Sequence, residues 1–190
     1  MNKPMSLLLS FLIAFSLQPV VTDTADAGLF SSAKRTRAKI DRVADEALQQ
    51  LMSESDKAKR LYNKAVSYAV FDVTKVSIGV TGGGGTGVAV DKANGQRVYM
   101  HMGTGGLNLG VGGQVFRVVF LFEDRDTFKK FVEKGWEASA SANAVAGRAG
   151  ANAGASFTNG MAVYQVTAAG LMLQADISGT KYWRSKKLNK

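Results

Sequence analysis

Residues 70–102 read VFDVTKVSIGVTGGGGTGVAVDKANGQRVYMHM, and the fold class follows from how this stretch is parsed. Val70-Phe71 and Val73 to Val80 are rich in β-branched residues and lack a 3.6-residue period, which predicts strand. A glycine cluster follows: Gly79, Gly82, Gly83, Gly84, Gly85 and Gly87. Val88 to Val90 is a further short strand, Asp91 to Gly95 a hairpin turn, and Arg97 to Met102 the returning strand. Short strands joined by tight turns predict an α+β fold: a mainly antiparallel, Gly-rich twisted sheet or partly closed barrel with helices packed outside. Gly82-x-Gly84-x-x-Gly87 formally fits a dinucleotide fingerprint. That motif needs a helix N-terminus after it to receive the pyrophosphate. A strand follows here, so no nucleotide is expected; in strands, glycine marks bulges, corners or close backbone contact.

Working toward the C-terminus, a second glycine cluster (Gly103, Gly105, Gly106, Gly110, Gly112, Gly113) precedes Gln114 to Phe122, the strongest strand signal of the chain. Glu123 to Lys134 reads as a short helix with Phe128, Phe131 and Val132 inward, its acidic start acting as a cap. Residues 138–156 place alanine at alternate positions. That pattern is either two extended pieces with a small-residue face or a low-complexity loop. Strands are expected at about Gly160 to Val166 and Leu171 to Ile177, around a Thr167–Gly170 turn.

Toward the N-terminus, Ala58, Leu61, Tyr62, Ala65, Val66 and Ala69 form a helical stripe opened by Ser53 or Ser55. Before it, Ile40, Val43, Ala44, Ala47, Leu48 and Leu51 recur at helical spacing, predicting an amphipathic helix over about 32–52. Its first turns carry Lys34, Arg35, Arg37, Lys39 and Arg42. Cations there oppose the helix dipole, so they are either an ordinary solvated face or an anion-seeking segment. The outer face of the next helix adds Lys57, Lys59, Arg60 and Lys64. Lys3, an apolar run from Met5 to Leu17, and Ala25-Asp26-Ala27 have the order of a secretory signal cleaved after Ala27. The run is short for a bilayer span of roughly 20 residues. The expected organisation is a signal at 1–27, a basic helical arm at 28–56 and a domain at 57–190, with the chain periplasmic or secreted.

Composition removes much chemistry. Of 190 residues, 46% are apolar, enough to bury a core, and the chain has one His and no Cys. Thiolate sites, disulfides, lipoprotein anchoring and poly-histidine zinc sites are thereby excluded. His101 alternates with apolar strand neighbours and reads as structural. No carboxylate pair is spaced for acid–base work, so no enzyme, metal or cofactor is expected. With 24 Lys and Arg against 15 Asp and Glu, the formal charge of +9 favours anionic partners. The cations lack the interleaved aromatics of single-strand binding, which argues against nucleic acid.

The run from Lys64 to Val76 (KAVSYAVFDVTKV) leading into the first glycine cluster resembles the opening of the SYLF, or Las17-binding, domain. Gly110 to Phe122, Met161 to Gln165, Ala169 to Leu171, Ala175 to Gly179 and Tyr182-Trp183 resemble its later segments. The similarity covers about residues 57–189 and points to an exported bacterial branch. Two departures are Asp72, where many relatives have proline, and the alanine-rich 138–156. The resemblance implies phospholipid binding, with actin-regulator binding in eukaryotic members. For this chain the expectation is peripheral binding of anionic phospholipid or related amphiphiles at a membrane surface. The residues expected to carry it are Lys34, Arg35, Arg37, Lys39 and Arg42, with Lys181, Arg184, Lys186, Lys187 and Lys190 of the tail. The tail is otherwise a frayed terminus. The rival reading is an adaptor whose basic arm docks an acidic envelope protein or polymer.

Overall fold

A computed structural model describes residues 24–138, 156–168, 170–172 and 179–190. Helix α1 (Thr24–Glu54) and helix α2 (Asp56–Lys64) lead into two very long strands, β1 (Ser67–Asp91) and β2 (Arg97–Phe122). Helix α3 (Arg125–Lys134) follows, then β3 (Trp136–Ala138), β4 (Met161–Thr167), β5 (Gly170–Met172) and β6 (Thr180–Arg184). The path β3-β6-β2-β4-β5, with β1 also paired to β2, makes a curled antiparallel half-barrel. This is the expected α+β class.

The strands are not the short pieces expected from the sequence. β1 and β2 form one hairpin running from Ser67↔Phe122 to Val90↔Arg97 through both glycine clusters, which face each other at Gly82↔Gly105 and Gly84↔Gly103. A straight 25-residue strand would extend about 80 Å, far beyond a domain this size, so the hairpin doubles over. The ladder shifts register between Ile78 and Val80, a bulge of the kind that sharpens a bend. Across the bend, the Ser77 and Thr81 hydroxyls are 2.9 Å apart. The second half of β1 then presses on the first. A Cβ on Gly83 would lie 2.7 Å from the Thr74 carbonyl oxygen, and one on Gly85 or Gly87 would overlap the carbonyls of Asp72 or Val70. Glycine occurs there because no side chain fits between the two backbones.

Strand alternation splits the core into two layers. Ala69, Phe71, Val73 and Ala89 of β1, with Met100, Val118, Phe120 and Phe122 of β2, face inward. There Phe120 makes edge-on contact with Tyr182 at 5.1 Å, and α3 closes the concavity with Phe128, Phe131 and Val132. Tyr68, Val70, Val88 and Val90, with Tyr99, Val119 and Leu121, face outward against the α1 stripe of Ile40, Ala44, Ala47, Leu48 and Leu51. The α1 residues expected to be buried are buried.

Local boundaries follow side-chain chemistry. Ser55, not Ser53, caps α2, its side chain accepting from the Ala58 N–H. The helix ends at Lys64 rather than continuing to Ala69. Ala65 is extended, and Lys92 reaches across to donate to the Tyr62 and Ala65 carbonyls at 2.6 and 2.9 Å. A cation on the orphan carbonyls of a helix end stabilises that end. Asp124 caps α3 by accepting from the Thr127 N–H at 2.7 Å. The hairpin turn closes with Gly95 donating to the Asp91 carbonyl, at a φ of +70° that favours glycine. Strands β3 and β6 were not expected. Residues 1–23 of the expected signal (1–27), 139–155 of the alanine-rich stretch (138–156) and 173–177 of the last expected strand (171–177) lie outside the described residues.

Candidate functional site

The cations expected to carry function stand on α1 and on the chain's end, and the structure brings these two regions together. On α1 the buried stripe fixes the rotation of the helix, and Lys34, Arg35, Lys39 and Arg42 project to solvent. Arg35, Lys39 and Arg42 follow at spacings of four and three, one line along the helix. Lys34, Arg35 and Lys39 make no ion pair among the described residues. Arg42 pairs with Glu46 at 2.8 Å, and Glu46 also contacts Arg117 at 3.3 Å.

Arg37 has a different role from its neighbours. It is half-buried and donates to the Leu188 carbonyl at 3.1 Å and the Lys190 carbonyl at 3.3 Å. The tail is therefore no frayed terminus. Leu188 and Ser185 are buried, and the Asn189 side chain accepts from the Tyr99 N–H at 2.9 Å while donating to the Tyr99 carbonyl at 2.7 Å. Tyr99 in turn donates its hydroxyl to Asp41 of α1 at 3.0 Å. Burial and that hydrogen bond push the Tyr99 phenol up to about 12. Arg97 completes the junction, 2.8 Å from Asp41. Helix, strand and tail are thus bound at one point, which holds the exposed Lys186, Lys187 and Lys190 beside the basic end of α1. Lys181 is exposed but pairs with Glu137 at 3.2 Å, and Arg184 is exposed near the end of β6.

A groove of about 240 Å³ opens between α1 and β1. Ile40, Val43 and Ala44 meet Val70 on its apolar side, while Thr36, Lys39, Asp72 and Thr86 supply polar groups. Of the expected cations, only Lys39 lines it. On α2, Lys57, Arg60 and Lys64 surround a shallow depression of about 60 Å³ over Leu61. These three were read from sequence only as an outer face. Their spacing of three and four residues was the signal that they converge. His101 is half-buried with its ring 6.0 Å from that of Trp183, a packing role. No three His, Asp or Glu converge as metal ligands among the described residues. No described helix is long and apolar enough to cross a membrane.

Comparison with known proteins agrees with the resemblance. Residues 103–190 match the Ysc84 family model, described as Las17-binding protein actin regulator. Over 157 residues the chain is 45% identical to beta cell expansion factor A of Aeromonas veronii, covering 83% of this chain. The chain spans 60% of that relative's length.

Proposed function

Taking residues 103–190 as a Ysc84-family, or SYLF, domain, we propose that this chain is a non-enzymatic protein that binds anionic phospholipid surfaces peripherally. The observation that carries the reading is the set of exposed cations Lys34, Arg35 and Lys39, without an ion pair among the described residues, on a helix locked to the core. The last of them stands at the mouth of a part-apolar groove. Each cation near an anionic bilayer contributes about 1 kcal/mol, so three of them with Lys186, Lys187 and the α2 cluster support reversible adhesion. Arg37 and Arg42 serve chiefly to hold structure, through the tail carbonyls and Glu46. The family description names binding rather than catalysis. Export to the periplasm or beyond, after cleavage near Ala27, is part of the proposal. N-terminal sequencing of the exported chain tests it: an intact Met1 contradicts cleavage.

Co-sedimentation with phosphatidylglycerol vesicles tests the binding. Changing Lys34, Arg35 and Lys39 together to Glu is expected to weaken association at least about tenfold with the fold intact. Unchanged affinity would remove α1 from the contact. The family description also names a protein partner, which favours the adaptor as second reading. A wild-type chain that ignores anionic vesicles at low salt, yet whose α1 cations are needed to hold an acidic protein, would establish it instead.

A further inference from the structure

The outward face of the β1–β2 hairpin packs against α1 and α2 at both ends, and among the described residues nothing covers its middle, which is exposed. Alternation places Thr74, Val76, Ile78 and Val80 of β1 on that face, with Val111 and Val115 of β2 beside them. Ile78 is the direct cross-strand neighbour of Val111, and Thr74 of Val115. Ile78 is 72% exposed, Val111 85% and Val115 69%. A contiguous aliphatic patch of this kind marks a contact surface.

We propose that this patch is a wedge that seats in the interfacial zone of an anionic phospholipid bilayer, with the α1 cations at headgroup level; the inference rests on the binding reading above. Two features select a bilayer over a protein. Protein contacts draw their energy from Tyr, Trp and Arg anchors, whereas this patch is Val and Ile with one Thr. It also continues directly from the groove that Lys39 lines. From Asp72 at the groove to Val76 is four residues, about 13 Å along the strand. One surface thus presents cations for headgroups and aliphatic side chains for the acyl boundary, the two complementary parts of an anionic lipid. Asp72 is the carboxylate in the groove, and it lies opposite Arg117 in the ladder. The depth is shallow, within about 5–10 Å, because strand edges carry backbone groups that hydrocarbon cannot satisfy.

The chain has no cysteine, so Ile78→Cys, Val111→Cys and, on exposed α3, Lys129→Cys each give a unique site for an environment-sensitive fluorophore. With phosphatidylglycerol–phosphatidylcholine vesicles, the labels at 78 and 111 should shift to the blue and be quenched by acyl-brominated lipid, while the label at 129 does neither. The unlabelled Ile78→Ser, Val111→Ser double variant should stay folded and bind about tenfold more weakly. Wild-type binding with water-like labels at 78 and 111, or full affinity in the double variant, overturns the wedge and leaves electrostatic adhesion standing. A wild-type chain that does not bind these vesicles overturns both. A blue shift without vesicles that grows with protein concentration assigns the face to a second copy and overturns the wedge as well.

Discussion

Gly87 has room for no side chain, because a Cβ there would overlap the Val70 carbonyl oxygen and the Phe71 ring. Gly87→Ala is accordingly expected to cost about 1–3 kcal/mol in urea unfolding, whereas alanine at Gly106, which has nothing within 4 Å, should cost far less. At α3, Asp124→Ala should cost about 1 kcal/mol and Asp124→Asn less, since Asn keeps an acceptor. Hydrogen bonds from Thr127 hold the Asp124 carboxyl below its ordinary range. Its contribution is therefore present near neutrality and is lost as pH falls through the folded-state value. Tyr99 has the opposite sign. Its phenol is raised to about 12, chiefly by burial, so its contribution is full below the ordinary tyrosine range near 10 and is lost as pH climbs from there through about 12. Urea midpoints taken across that window should fall more steeply for wild type than for Tyr99→Phe. The caps and the turn glycine were legible in the sequence because their chemistry is local. The Asp41–Tyr99–Asn189 junction was not, because its three members are scattered along the chain.

Helix α1 shows how much an element reveals through its period. Its stripe placed Ile40 to Leu51 on one side, and the sheet buries those residues. Leu51→Ala should therefore cost about 2–5 kcal/mol, measured by urea unfolding. The α2 boundary was less legible, since Ala65 and Ala69 suit either a helical stripe or a strand. Lys92, brought in from the hairpin turn, caps the helix at Lys64. The glycine clusters misled in another way. Read locally they end strands, yet Gly82 and Gly84 pair with Gly105 and Gly103 of the other cluster, and Gly83, Gly85 and Gly87 lie under backbone folded across them. Continuity of a strand through glycine is a property of what packs on it, not of the residues themselves.

For the whole molecule, the α+β half-barrel with outer helices was readable from alternation, turns and helical stripes. The division of the cations was not. Sequence grouped Arg37 with Lys34, Arg35 and Lys39, while the fold gives Arg37 to the tail and leaves the others to solvent. That division requires knowing where residue 188 lies relative to residue 37. The exposed Val76, Ile78, Val80, Val111 and Val115 were equally hidden, because an alternating strand predicts a buried face without saying where its cover stops. Cationic adhesion to lipid is an electrostatic claim, and exposed charges are screened within about 10 Å at 0.1 M salt and about 3 Å at 1 M. The most direct measurement is the partition of the wild-type chain onto vesicles of rising phosphatidylglycerol content, repeated from low salt to about 1 M. Affinity should climb with the anionic fraction and fall steeply with salt; an affinity indifferent to both, or no association at any composition, would contradict the account.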